Sequence, residues 1–206
     1  MVTTKTYAEK KWVGTYKVRS THQLVYNPDN SVEYIEKEDE MNVVIAYDEN
    51  ISRYRIYGLC KTHPELDIIA HISEDGEIYL VGSSFSDKKK WVFVMQDNGG
   101  SQSSYQYYTK PLFSLPYVFT MDDSGQITHI PTPNVIAVSV FEVDSDKSEI
   151  RHLDSSEKHV YPAGQLHFER KSKSVTIPQS STSGHRKSMH TTGESQSVDQ
   201  TLKMVY

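Results

Sequence analysis

Apolar and polar residues alternate with a period of two along most of the first 143 positions. In an extended strand residues i, i+2 and i+4 share a face, so this alternation marks half-buried sheet. Residues 12–19 place Trp12, Gly14, Tyr16 and Val18 on one face, against Thr15, Lys17 and Arg19. Leu24 and Tyr26 continue the apolar face. Asn27-Pro28-Asp29-Asn30 then turns the chain, and Val32 and Tyr34 lead it back. The unit repeats. Met41, Val43, Ile45 and Tyr47 share a face, Asp48-Glu49-Asn50 turns, and Arg53 and Arg55 alternate with Tyr54 and Ile56. Leu66, Ile68, Ala70 and Ile72 precede the turn Ser73-Glu74-Asp75-Gly76. Trp91, Phe93 and Met95 precede Asp97-Asn98-Gly99-Gly100, the strongest turn signal in the chain. Residues 117–130 form a hairpin around Asp122-Asp123-Ser124-Gly125. Residues 135–143 are apolar on both faces and read as a strand covered on both sides.

Strands recurring every 8–12 or so residues with short turns predict an all-β fold, an antiparallel meander closed into a barrel. A β-sandwich is the alternative. Closure is favoured because the edges of so long an open sheet would pair with other chains. Helical periodicity is nearly absent: residues 7–11 fit one turn, and 144–157 fit a short helix or a loop. The expected domain spans 1–170, with its strong strands over 11–143 and an added edge pair over 158–170 turning at Pro162-Ala163-Gly164. From Lys171 onward eight Ser and five Thr interrupt every apolar run. A segment this poor in aromatics buries too little surface to offset its ordering entropy, so 171–206 is expected to be a disordered polar tail.

Charge divides the chain in the same place. The net charge is −5. Residues 171–206 hold five basic side chains against two acidic, +3, which leaves −8 on the body. An acidic body excludes the phosphate backbone as its main partner, and no nucleic-acid partner is expected. Cys60 is the single cysteine, so no intramolecular disulfide forms. The first residues show no apolar signal region, and no apolar run approaches the roughly 20 residues of a membrane span. A reducing intracellular, cytoplasmic setting is therefore expected.

The segment Trp12-Val13-Gly14-Thr15-Tyr16 resembles the first strand of calycins, the group of lipocalins and fatty-acid-binding proteins. There an aromatic residue packs over one barrel end and a glycine two positions away lets another backbone approach. Trp-x-Gly-x-Tyr is more similar to the fatty-acid-binding form. Tyr47-Asp48-Glu49-Asn50 followed by Arg53-Tyr54-Arg55-Ile56-Tyr57-Gly58 resembles hairpins of bacterial lipocalin-like domains. Together these pieces cover about 20 residues. The resemblance implies a ligand-binding barrel. Departures are visible: strands follow the first strand directly, without the helix pair of fatty-acid-binding proteins. No Arg-x-Tyr pair lies in 135–143, and Arg151 and Arg170 fall outside the strong strands, so the lipocalin last-strand arginine is not evident.

Chemistry-bearing motifs are sparse. No glycine-rich phosphate loop precedes a helix and no Gly-x-Ser-x-Gly occurs, so neither a cofactor nor a catalytic residue is assigned. Cys60 and His63 stand three residues apart, with Asp67 and His71 beyond. Zinc or nucleophilic chemistry needs further partners placed in space, and Cys60 reads as a small buried hydrophobe. His22 and His129 fall on strand faces and read as satisfied histidines. Fourteen tyrosines suit strand rims, where their polar tips reach water. His185-Arg186-Lys187-Ser188 suits a basophilic kinase.

The function expected from these patterns is non-catalytic binding of a small apolar or amphipathic ligand in a barrel cavity. The ligand-facing set is Trp12, Tyr16, Leu24, Tyr34, Val43, Ile45, Ile68, Trp91 and Phe93, with Arg53 and Arg55 at the mouth to pair an anionic group. The alternative is a structural or protein-interaction module, such as a viral or assembly component, whose tail recruits a protein partner.

Overall fold

The computed structural model describes residues 10–73, 76–80, 89–97, 104–108, 117–131, 134–144, 149–152, 156–178 and 203–204. A single 3-10 turn (Lys10–Trp12) precedes the strands β1 (Gly14–Tyr26), β2 (Val32–Ile35), β3 (Asp39–Asp48), β4 (Arg53–Tyr57), β5 (Asp67–Ile72), β6 (Ile78–Leu80) and β7 (Lys89–Asp97). After them come β8 (Ser104–Tyr108), β9 (Val118–Met121), β10 (Ile127–Ile130), β11 (Val135–Asp144), β12 (Glu149–His152), β13 (His159–Ser172) and β14 (Lys203–Met204).

Eight of these strands close an antiparallel barrel in the order β1-β3-β4-β5-β6-β9-β10-β13, with β13 pairing back onto β1. The alternation read from sequence sets its register. Along β1, Gly14, Tyr16 and Val18 face Ile45, Val43 and Met41 of β3. On the other side Tyr16, Val18 and Ser20 face Arg170, Phe168 and Leu166 of β13. Ile45 then meets Ile56, and Ile56 meets Ile68, so the apolar face continues from strand to strand around the barrel.

β1 and β13 are longer than the barrel needs. Their far halves pair with each other from Tyr26↔His159 to His22↔Ala163 and carry a second sheet. In it β2 lies beside β1, and β11 meets β13 at Ala137↔Ala163. β7 and then β8 extend it from one edge of β11, β12 from the other, and β14 runs parallel to β12. This sheet packs against the barrel: the Trp91 indole Nε1 on β7 donates to the Asp67 carbonyl at the start of β5, 2.7 Å away. Side chains of both sheets merge into one buried cluster.

Residues 135–141 are buried on both faces, as their composition implied. They are nevertheless not the closing strand. That role belongs to β13, where Pro162-Ala163-Gly164 was expected to turn an edge pair. Gly164, at φ 69°, sits where the β1–β13 register shifts between Ser20 and His22, and Pro162 lies just past it, in register opposite Gln23. Such a bulge accommodates a residue with positive φ, and the strand bends without ending. The expected tail begins inside the fold: Lys171 and Ser172 belong to β13, and the Thr15 hydroxyl donates to the Ser174 carbonyl at 2.9 Å. Residues 179–202, with the basic stretch before Ser188, lie outside the described residues. Within 144–157 the structure places strand β12.

The 3-10 turn plugs the barrel end at which β1 begins. Trp12 is fully buried. The Tyr16 hydroxyl donates to the Trp12 carbonyl at 2.6 Å and accepts from Nε and Nη2 of Arg170 at 3.0 and 2.7 Å. Nη2 also donates to the Lys11 carbonyl. The guanidinium lies 5.3 Å from the Tyr16 ring centre, within cation–π range. Burial pushes the Tyr16 phenol up in pKa and Arg170 partly offsets this, so the phenol stays protonated and able to donate. Gly14 completes the base, because a Cβ there would stand 2.6 Å from the Ser172 carbonyl oxygen.

Arg170→Met should therefore cost about 2 kcal/mol, the scale of lost hydrogen bonds from a charged donor. Gly14→Val should cost at least as much by separating β1 from β13. Urea unfolding monitored by Trp12 and Trp91 fluorescence checks both; an unchanged midpoint for Arg170→Met would remove this side chain from the closure.

Candidate functional site

Inward-facing side chains of the barrel form an aromatic column along its wall. Arg170 lies under Tyr16, whose ring meets Phe168 edge-on at 6.0 Å. Phe168 meets Phe119 at 5.1 Å, Phe119 meets the His129 ring at 5.2 Å, and His129 lies 4.5 Å from the Tyr117 ring. The column runs from the plugged end toward the end covered by the second sheet. Local sequence accounts for each place. In β10 Ile127 and His129 are buried while Thr128 and Ile130 are exposed, and Phe119 of β9 lies opposite His129.

The covered end is polar. His129, Tyr117 and Ser20 are all buried, and their Nε2, hydroxyl and Oγ atoms find no hydrogen-bond partner among the described residues. Leu166 ties two of them to one place: it is the β13 partner of Ser20, and its N–H donates to His129 Nδ1 at 3.3 Å. That bond makes Nδ1 the acceptor, so the neutral ring carries its proton on Nε2. Burial lowers the His129 pKa to about 4; the Gly164 carbonyl pulls the other way, favouring the charged ring, and is outweighed. Burial drives the Tyr117 phenol well above its ordinary pKa, with the nearby Tyr34 phenol adding to the shift. A buried polar group without a partner costs about 1–3 kcal/mol, so three at one end of a barrel single that end out.

The residues expected at a ligand divide into three groups. Tyr16, Val43, Ile45 and Ile68 face the barrel interior and Trp12 plugs its base, all in the buried cluster. Leu24, Tyr34, Trp91 and Phe93 belong to the second sheet; Tyr34 is half-buried and stacks on His22 at 4.8 Å. Arg53 and Arg55 stand on the outer face of β4, since Tyr54 and Ile56 take the inner one. Arg55 bridges Asp48 of β3 and Asp67 of β5 at 2.7 and 2.6 Å, Arg53 is exposed, and neither points into the barrel.

Ser20, Tyr117, His129 and Arg170 did not stand out in the sequence. Alternation put His129 and Tyr117 within one hairpin, but which histidine lacks a partner is a three-dimensional fact. Arg170, which falls outside the strong strands of the sequence pattern, sits on β13, the last barrel strand.

Elsewhere, two open grooves of about 620 and 590 Å3 flank the 122–125 turn and share Ser124, Gly125 and Arg170. Cys60 is buried in the core, its Sγ 3.4 Å from the Thr62 hydroxyl, which lies 3.2 Å from His159 Nδ1. His63 pairs with Glu65 at 3.4 Å, while Asp67 holds Arg55 and His71 is exposed, so these four residues do not converge. Among the described residues no group of His, Cys, Asp and Glu is arranged to hold a metal ion. The side chains of Tyr107 and Tyr108 lie outside those described.

His129 gives a pH test. An unfolded histidine takes up its proton near pH 6.5, and the folded one only near pH 4. Between these values the unfolded chain holds the extra proton, so stability falls as pH falls through that window, by about 3 kcal/mol in all. In urea unfolding at several pH values His129→Phe should lose this share of the slope. A slope equal to that of the unsubstituted protein would show that His129 is not held neutral.

Among the described residues no helix is long and apolar enough to cross a membrane. Comparison with protein-family models, with curated proteins and with solved structures finds no match to this chain.

Proposed function

We propose that the protein is a non-catalytic binder of a small amphipathic molecule, held inside the barrel with its polar end at Ser20, Tyr117 and His129. The observation that carries this reading is the set of three buried polar atoms at the covered end that have no hydrogen-bond partner among the described residues, against Trp12 Nε1 at the plugged end. Native interiors satisfy nearly all such groups, and the exceptions concentrate where a ligand completes them. Phe119 and Phe168 would flank the apolar part of the molecule.

The calycin resemblance supports the same reading. The fold is an eight-stranded antiparallel barrel, Trp12 precedes a first strand that carries Gly14 and Tyr16, and a last-strand arginine ties that strand to the plug. A single buried thiol fits a reducing, intracellular setting.

A second reading, a structural or protein-interaction module with 171–206 as recruiter, draws on the continuity of the core. Trp12, Tyr16, Val43, Ile45 and Ile68 are all nearly inaccessible and belong to one cluster shared by both sheets.

Titration with an uncharged, environment-sensitive fluorescent dye separates the two. Saturable binding at one site per chain is expected. Ala70→Phe, which enlarges a fully buried β5 side chain of the barrel cluster, should abolish it, whereas Arg53→Ala on the outer face should leave it unchanged. Circular dichroism confirms that both variants fold. Absence of saturable binding, together with a partner captured by the full chain and lost on removing 179–206, would favour the module.

A further inference from the structure

The chemistry of the covered end narrows the ligand. Resting on the binding reading above, we propose that the Tyr117–His129 corner, with Ser20 across Leu166, selects an uncharged hydrogen-bonding group, a hydroxyl or a primary amide, over a carboxylate.

Three features of the geometry lead there. The first is the donor and acceptor inventory. With Nδ1 accepting from the Leu166 N–H, His129 presents Nε2–H as a donor. Tyr117 and Ser20 each present a hydroxyl that gives or accepts. Together they offer donors and acceptors, and a ligand group with both capacities satisfies the whole set. A hydroxyl or an amide has both; a carboxylate could take up the three donors but meets none of the acceptors, and the placement of charge decides against it.

The second feature is where positive charge lies. The cation that enters the aromatic column is Arg170, four residues further along β13 than Leu166, about 13 Å at 3.3 Å per residue. Its guanidinium is already committed to the Tyr16 hydroxyl and the Lys11 carbonyl. Arg55, between β3 and β5, is on the outer face and held by Asp48 and Asp67, and Lys17 of β1 is paired with Glu40 of β3. A carboxylate moved into the covered end would leave water without meeting a counter-charge, the most unfavourable form of burial.

The third feature is that His129 is poorly placed to become the missing cation. An imidazolium donates from both nitrogens, so protonating Nδ1 would set it against the Leu166 N–H, a loss that the Gly164 carbonyl offsets only in part. The ring also packs against Tyr117 and Phe119, at 4.5 and 5.2 Å, with His167 adding repulsion to any charge it takes on.

Competition of decan-1-ol, decanamide and decanoate against the uncharged dye tests the proposal, since the three share an apolar chain and differ at the polar end. Decan-1-ol and decanamide should displace the dye at least about ten-fold more effectively than decanoate, with an affinity for decan-1-ol that is flat between about pH 5.5 and 8. Tyr117→Phe removes a hydroxyl that lacks a partner among the described residues, so the variant should be as stable as the unsubstituted protein or more so, yet bind decan-1-ol about ten-fold more weakly. Decanoate binding as tightly as decan-1-ol, or tightening as pH falls with uptake of a proton, would overturn the selectivity while leaving the binding function intact. Unaltered decan-1-ol affinity in Tyr117→Phe would overturn the placement of the polar end. Failure of the dye and of all three compounds to bind would instead overturn the binding function itself.

Discussion

The pairing of β1 with β13 is the constraint on which the structure depends. It closes the barrel by joining the first long strand to the last, and it extends past the barrel to support the second sheet. Closure removes the exposed edges that an eight-stranded open sheet would present. The pairing joins residues about 130–160 positions apart, so it forms only after a large loop is closed, and it returns that entropy through burial on both sheets at once. Gly14 and the Tyr16–Arg170–Lys11 hydrogen bonds fasten one end of the pair, and the bulge near Gly164 lets the strands bend from one sheet into the other.

Sharing two strands gives the barrel unlike ends. At one end Trp12 and the Arg170 guanidinium form a plug in which the Tyr16 hydroxyl and the charged donors are satisfied, although the buried Trp12 Nε1 has no hydrogen-bond partner among the described residues. At the other the second sheet takes the place of solvent above Ser20, Tyr117 and His129, whose polar atoms have no hydrogen-bond partner among the described residues. An open barrel end would have let water reach these groups at little cost. Covered, they form the most distinctive chemistry of the chain, and the burial that isolates them also holds His129 neutral and Tyr117 protonated.

The contrast between Arg55 and Arg170 shows how far residue type can be read without a fold. Both are arginines on strands beside tyrosines. Arg55 lies in a clean alternation, which made it a candidate for the barrel mouth, yet the same alternation sends it outward, where two aspartates on neighbouring strands receive it. Arg170 lies in a stretch broken by proline and glycine, which hid its strand, yet it faces inward over Tyr16. Period-two patterning states which residues share a face. It does not state which face becomes the interior of a closed sheet, nor where a bulge carries a strand past a turn signal.

The sequence by itself determined the all-β class, the hairpins around 27–30, 48–50 and 122–125, the twofold burial of 135–141 and the role of Trp12, Gly14 and Tyr16 at the base of the first strand. These follow from local rules: alternation, turn residues and the space a side chain needs. Only the tertiary structure decided that β13 closes the barrel, that Leu24, Trp91 and Phe93 serve a second sheet, and that Ser20, Tyr117 and His129 meet at its covered end. Those facts depend on pairings between distant segments and on which polar atoms are left over when all others have found partners, and no window of the sequence contains that remainder.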